Sequence, residues 1–307
     1  IQNYDDTLDN YGDPSEHPEL IDVNGELEPP TISEEELARL KTLGYVPSDT
    51  TPKDLQSDFM HTNAIAYNAD LDQIVLSILK YNEVWIIDHS TTVDEAAGHT
   101  GGRWERGGDL LYRWGNPRVY GRGDGTQQRL FGQHDPRWIP QGMPGAGHLL
   151  VFNNNLNGSE GPYSAVFEFA LPTDDEGLFV VPDTEAFGPE TLSWSYTAPD
   201  KSSMFSSFIS GAHRLANGRT MITSGAQGRF LEVTSEGVIV WDYWTPYSGD
   251  VKMPDGSRPQ PTASWTYPVF RATKILPDHP ALAGRDLTPL DPQPPIVLPS
   301  SSAEDSP

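Results

Sequence analysis

From residue 58 onward, short apolar runs alternate with clusters of Gly, Pro, Asn and Asp, a pattern of strands and turns rather than of helices. The runs predict a first group of four strands over 64–67, Gln73–Ile78, Glu83–Asp88 and 109–114. A second group follows at 137–140, 148–153, 164–170 and 192–196, and a third at 212–216, Thr220–Ser224, 229–234 and 238–243. The last strand of each group carries a tryptophan: Trp114, Trp194 and Trp241. A fourth group opens at 268–276 and is not completed. Upstream, residues 1–57 are acidic, Pro-bearing and mostly aperiodic. The exception is 33–44, where Ser33 and Glu36 form a capping box, Leu37, Leu40 and Leu43 share one face, and Gly44 stops the helix. This reads as a short surface helix in a linker. The Pro/Ser-rich tail is expected to be disordered. The expected division is therefore 1–57 linker, 58–285 strand units and 286–307 tail.

The units also resemble one another. Residues 58–68, 128–140 and 208–218 each place a histidine near the start of a first strand: His61, His134 and His213. Four-stranded antiparallel units repeated along a chain predict a β-propeller. Three blades plus one extra strand fall short of a ring. The expectation is that the remaining blades lie on a missing N-terminal part or on another chain, or that two copies associate.

Composition narrows the function. The 307 residues carry a formal charge of −24, with 28 Gly, 28 Pro and no Cys. Such acidity argues against nucleic-acid binding, which needs a basic surface for phosphates. No apolar run of membrane-spanning length occurs. Without cysteine there are no disulfides, no thiolate metal sites and no Cys nucleophile. The chain begins at Ile1, so a removed signal or an upstream start stays open. The Gly- and Asn-rich stretches 121–125 and 153–158 lack the spacing of a calcium loop and read as turns. No metal or cofactor is expected.

The histidines carry the candidate chemistry. In a propeller the first strand of each blade lines the central channel, and side chains at one register converge there. His61 lies four residues before Ile65 and His134 four before Trp138, so both occupy that register. In the third unit Ser210 takes it, and His213 aligns with Arg137, on the other side of the strand unless a bulge redirects it. Asn63 and Asp135 are candidates to fix an imidazole tautomer. His17, His89, His148 and His279 are expected to be hydrogen-bonded structural residues, and His99 to be solvated.

Asp58-Phe59-Met60-His61-Thr62-Asn63, 86–92 and Gln133-His134-Asp135 resemble the bacterial arylsulfotransferase family. The likeness continues through 107–117, 210–215, Phe270-Arg271-Ala272 and 282–287, and so covers about residues 58–290. The resemblance implies a six-bladed propeller of which this chain is the C-terminal part, in a periplasmic or extracellular protein. It implies transfer of a sulfuryl group from an aryl sulfate to a phenol without a nucleotide donor, through a transient sulfohistidine. His61 and His134, with His213, are then the catalytic candidates. Asn63, Asp135, Arg137 and Arg271 are the substrate-binding candidates. One position departs: the family carries an Arg shortly after the Ser of the following strand, and Ser77-Ile78-Leu79-Lys80 has Leu79 there. Loss of that bidentate donor favours the alternative, a catalytically inactive propeller serving as a structural or protein-interaction module.

Overall fold

The computed structural model describes residues 12–22, 25, 33–42, 46–52, 54, 60–174, 177–245, 268–289 and 291. The short helix α1 spans Glu34–Thr42 and buries Leu37. Leu43, Gly44 and the side chain of Glu36, which the sequence assigns to its ends, lie outside the described residues, as does most of the tail. Among the described residues no helix is long and apolar enough to cross a membrane.

Among the described residues, twelve strands form three four-stranded antiparallel sheets, in the orders β1-β2-β3-β4, β5-β6-β7-β8 and β12-β11-β10-β9. The first holds β1 (Thr62–Asn68), β2 (Gln73–Ile78), β3 (Glu83–Asp88) and β4 (Leu110–Trp114). The second holds β5 (His134–Trp138), β6 (Leu149–Gly158), β7 (Gly161–Phe169) and β8 (Trp194–Tyr196). The third holds β9 (Gly211–Arg214), β10 (Thr220–Ser224), β11 (Arg229–Val233) and β12 (Ile239–Trp244). Contacts divide the chain into two units, one of Ile1–Pro136 with Leu171–Glu190, the other of Arg137–Ala170 with Thr191–Pro307.

In the first unit, alternation along the strands gives the first sheet two faces. Val75, Ile86 and Tyr112 align across three strands, and all are buried. Tyr112 stacks on Phe179 and meets Phe187 edge-on, while its hydroxyl donates to the Gly188 carbonyl at 2.7 Å. On the other face, Arg113 and Glu83 are both fully buried. The guanidinium binds Glu83 at 2.5 and 3.1 Å, lies over the Tyr120 ring, and donates to the carbonyls of Pro18 and Leu20. Burial pushes the Glu83 carboxyl up, and the facing guanidinium opposes that shift. The N-terminal segment is thereby strapped to β4, to which Glu19 adds a backbone bond at Leu110. The loop before β4 contains a short helix, α2 (Val93–Ala96), closed by a capping box of Thr92 and Glu95.

In the second unit, Leu150, Phe152, Val166 and Tyr196 pack against Ala212, Ile222, Leu231 and Val233, joining the second and third sheets in one apolar core. Glu168, aligned with Leu150 and Trp194, is bound by Arg214 of β9, whose guanidinium lies over Trp194. The third sheet repeats this arrangement. Glu232 aligns with Met221 and Trp241, and Lys274 binds Glu232 while lying over Trp241. Lys274 thus occupies against the third sheet the place that Arg214 occupies against the second.

The strand expected over 268–276 is not formed. Its backbone bonds go to single groups, Val269 N–H to Gly225 O and Phe270 O from Ser210 N–H, and Lys274 N–H donates to the His213 ring. Among the described residues these bonds stay isolated and do not extend into the repeated backbone pairing that makes a strand. Strand β6 runs five residues past its expected end at 153 because the buried Asn154 satisfies its amide on the carbonyls of Ser206 and Ile209. The stretch 153–158 is therefore strand, not turn.

Candidate functional site

His61 and His134 both belong to the first unit, and both segments are tied to the turn between β2 and β3. Leu79 N–H donates to His61 O at 3.2 Å, and Lys80 N–H to Met60 O at 3.3 Å. His61 has a left-handed backbone (φ 49), sits immediately before β1 and is exposed. The bulge between Thr62 and Ala64 falls at this end of the strand, where bulges re-aim side chains.

His134 opens β5 and is 4 % exposed. Its Nδ1 lies 3.0 Å from the Gly132 carbonyl. A carbonyl can only accept, so Nδ1 carries a proton, and in the neutral ring the lone pair is then at Nε2. Asp135 beside it is buried with φ 56. Asn63 does not orient an imidazole through its amide: Nδ2 donates to the Gln133 carbonyl at 2.9 Å. Gln133, fully buried, donates from Nε2 to Ile78 O and Glu83 O, and its carbonyl also accepts from Ser77 Oγ. Gln133, Ser77 and Asn82 are the residues of this locality that the repeat pattern did not reveal.

In the second unit, His213 lies on the face of the third sheet opposite Ala212, in line with Met221. Its Nε2 accepts the Lys274 amide at 3.2 Å. Burial first, then the charges of Arg137 and Lys274, lowers its pKa to about 4, so the ring is neutral at neutral pH. Arg137 is half-buried in β5, and Arg271 is exposed with its guanidinium 5.8 Å from the Phe270 ring centre. Because the folded ring resists protonation, His213 contributes stability above the unfolded pKa that is lost as pH falls toward 4. His213→Gln should therefore flatten the fall in urea midpoint between about pH 6.5 and 4. An unchanged acid slope in the variant would show that His213 is not shifted.

The histidines expected to be structural do have partners. His17 pairs with Glu19, His89 with Asp72 and His148 with Glu168, while His279 Nδ1 accepts the Ala281 amide. His99 differs from the expectation of mere solvation, because Asp109 holds it at 2.7 Å.

The sequence model of one family, Arylsulfotransferase (ASST), matches residues 31–240. The chain belongs to the arylsulfotransferase family. No curated protein matches it. Among solved structures it is similar to a protein of unknown function from Bacteroides caccae, at 12% identity and TM-score 0.32, over 64% of this chain and 51% of that one. It is also similar to a streptogramin B lyase (13%, TM-score 0.30, 64% and 60%). A third is a catalytically inactive virginiamycin B lyase from Staphylococcus aureus with quinupristin (9%, TM-score 0.28, 66% and 58%). The match thus spans between about half and three-fifths of the length of those structures.

Proposed function

We propose that this chain contributes blades of a β-propeller that transfers a sulfuryl group from an aryl sulfate to a phenol, with His134 as the acceptor imidazole. The observation that carries the reading is the hydrogen bond from His134 Nδ1 to Gly132, which directs a neutral ring's lone pair to Nε2 inside a buried setting. Nε2 attacks sulfur, the S–O bond to the aryl group breaks, and the aryl oxide leaves with the bonding pair. The acceptor oxygen then takes the sulfuryl group from Nε2 while its proton passes to a second imidazole. His61 is the candidate for that role in the first unit. The reading includes a partner that completes the ring, either a second copy or an N-terminal propeller fragment, and a periplasmic or extracellular location.

Leu79 favours a second reading, a non-catalytic propeller kept as a structural or interaction module. The two are separated by incubating the protein with 4-nitrophenyl sulfate and phenol. The enzyme reading expects nitrophenol release that depends on phenol and is abolished in His134→Ala with the circular dichroism spectrum unchanged. Leu79→Arg should raise the rate, since one charge-assisted donor to a developing oxyanion contributes about 2–4 kcal/mol. No turnover in either form, with the ring completed, would leave the module.

A further inference from the structure

We propose that Asn82 and Gln133 are positioning residues that set the tautomer and direction of the His134 imidazole from the β2–β3 turn; this rests on His134 being the sulfuryl acceptor. The turn closes with Asn82 N–H donating to Leu79 O at 3.0 Å. Asn82 is left-handed (φ 54), a conformation that Asn tolerates better than most residues. From there its Oδ1 accepts Gly132 N–H at 2.7 Å. Gly132 is left-handed too (φ 63), where a side chain would be strained, and its carbonyl receives His134 Nδ1–H.

Gln133 holds the next link. Its Nε2 grips the carbonyls of Ile78 at 3.2 Å and Glu83 at 2.8 Å, one on each side of the same turn. Its own carbonyl accepts from Asn63 and Ser77. The two residues preceding His134 are thus fastened to one turn, and the carbonyl that selects the tautomer cannot swing away from Nδ1. In the other tautomer Nε2 would present a proton to the sulfate instead of a lone pair. Such molecules still bind but do not react, so the effect belongs in kcat rather than KM.

The test uses Asn82→Gly, which keeps the left-handed turn but removes the acceptor, and Asn82→Asp, which keeps an acceptor oxygen at the same place. Imidazole 15N spectra of the labelled protein, with His134 assigned through His134→Gln, report the tautomer without needing turnover. Native His134 should be protonated at Nδ1. In Asn82→Gly the Nε2-protonated form should rise several-fold and kcat should fall on the order of tenfold at near-constant KM. Asn82→Asp should restore both. A native spectrum dominated by Nε2–H overturns the proposal. So does an Asn82→Gly protein indistinguishable from native, or a folded Asn82→Asp protein that resembles Asn82→Gly. If Asn82→Gly does not fold, the native and Asn82→Asp spectra decide the matter, since both must show Nδ1–H. A native chain without turnover but with the expected spectra would defeat the sulfotransfer reading while the positioning stands.

Discussion

Arg113→Ala should destabilise the first unit by about 3–5 kcal/mol, the usual loss when one partner of a buried ion pair is removed. The size follows from what is left behind. Glu83 is fully buried, and without Arg113 its remaining side-chain donor is Trp85 Nε1, at 2.7 Å. The carbonyls of Pro18 and Leu20 lose a donor at the same time, so the N-terminal strap loosens. A urea midpoint measurement followed by circular dichroism reads the loss. Arg113→Met combined with Glu83→Leu should recover much of it, because an apolar pair of similar volume leaves no charge unpaired. A single variant as stable as the native chain would mean that the pair does not hold this sheet.

Arg214→Met should cost about 3 kcal/mol in the second unit, the low end for a buried pair because His148 also contacts Glu168. Lys274→Met, although it removes the matching contact on the third sheet, should cost less, about 1–2 kcal/mol, because Glu232 stays buried but keeps Arg219 beside it. Burial separates the two. Arg214 is 5 % exposed and sits over an apolar core shared by two sheets, whereas the Lys274 side chain is 36 % exposed and Arg219 also lies near Glu232. Lys274→Met should instead speed amide exchange over 268–276, the segment that this lysine ties down. Equal midpoint shifts in the two variants would contradict this ranking.

These contrasts mark what could be read along the chain. The first sheet was legible because its strands are short apolar runs closed by turn residues, a signal that lies within a few positions. Glu83–Asp88 and Gln73–Ile78 match their expected bounds for that reason. The strand expected over 268–276 fails because a strand is a property of a pair: the pattern of Phe270 to Leu276 suits a ladder, but its backbone bonds, to Gly225 and Ser210, stay single among the described residues. Strand β6 exceeds its expected end because Asn154 is polar in sequence yet satisfied on distant carbonyls.

The histidines divide the same way. The sequence alone determined that the chain is built of repeated four-stranded units and that His61, His134 and His213 stand near the starts of first strands, because repetition and period-two alternation are local. Only the tertiary structure decided which atoms two of the rings face, Gly132 O for His134 and the Lys274 amide for His213, and that the His61 backbone is held through its carbonyl by the Leu79 amide. Asn82 gave no signal, and Gln133 stood out only within the Gln133-His134-Asp135 likeness, since the bonds that join them to Gly132, Ile78 and Glu83 bridge some fifty residues. Hydrogen bonds closed across that distance depend on the folded backbone, and no spacing along the chain encodes them.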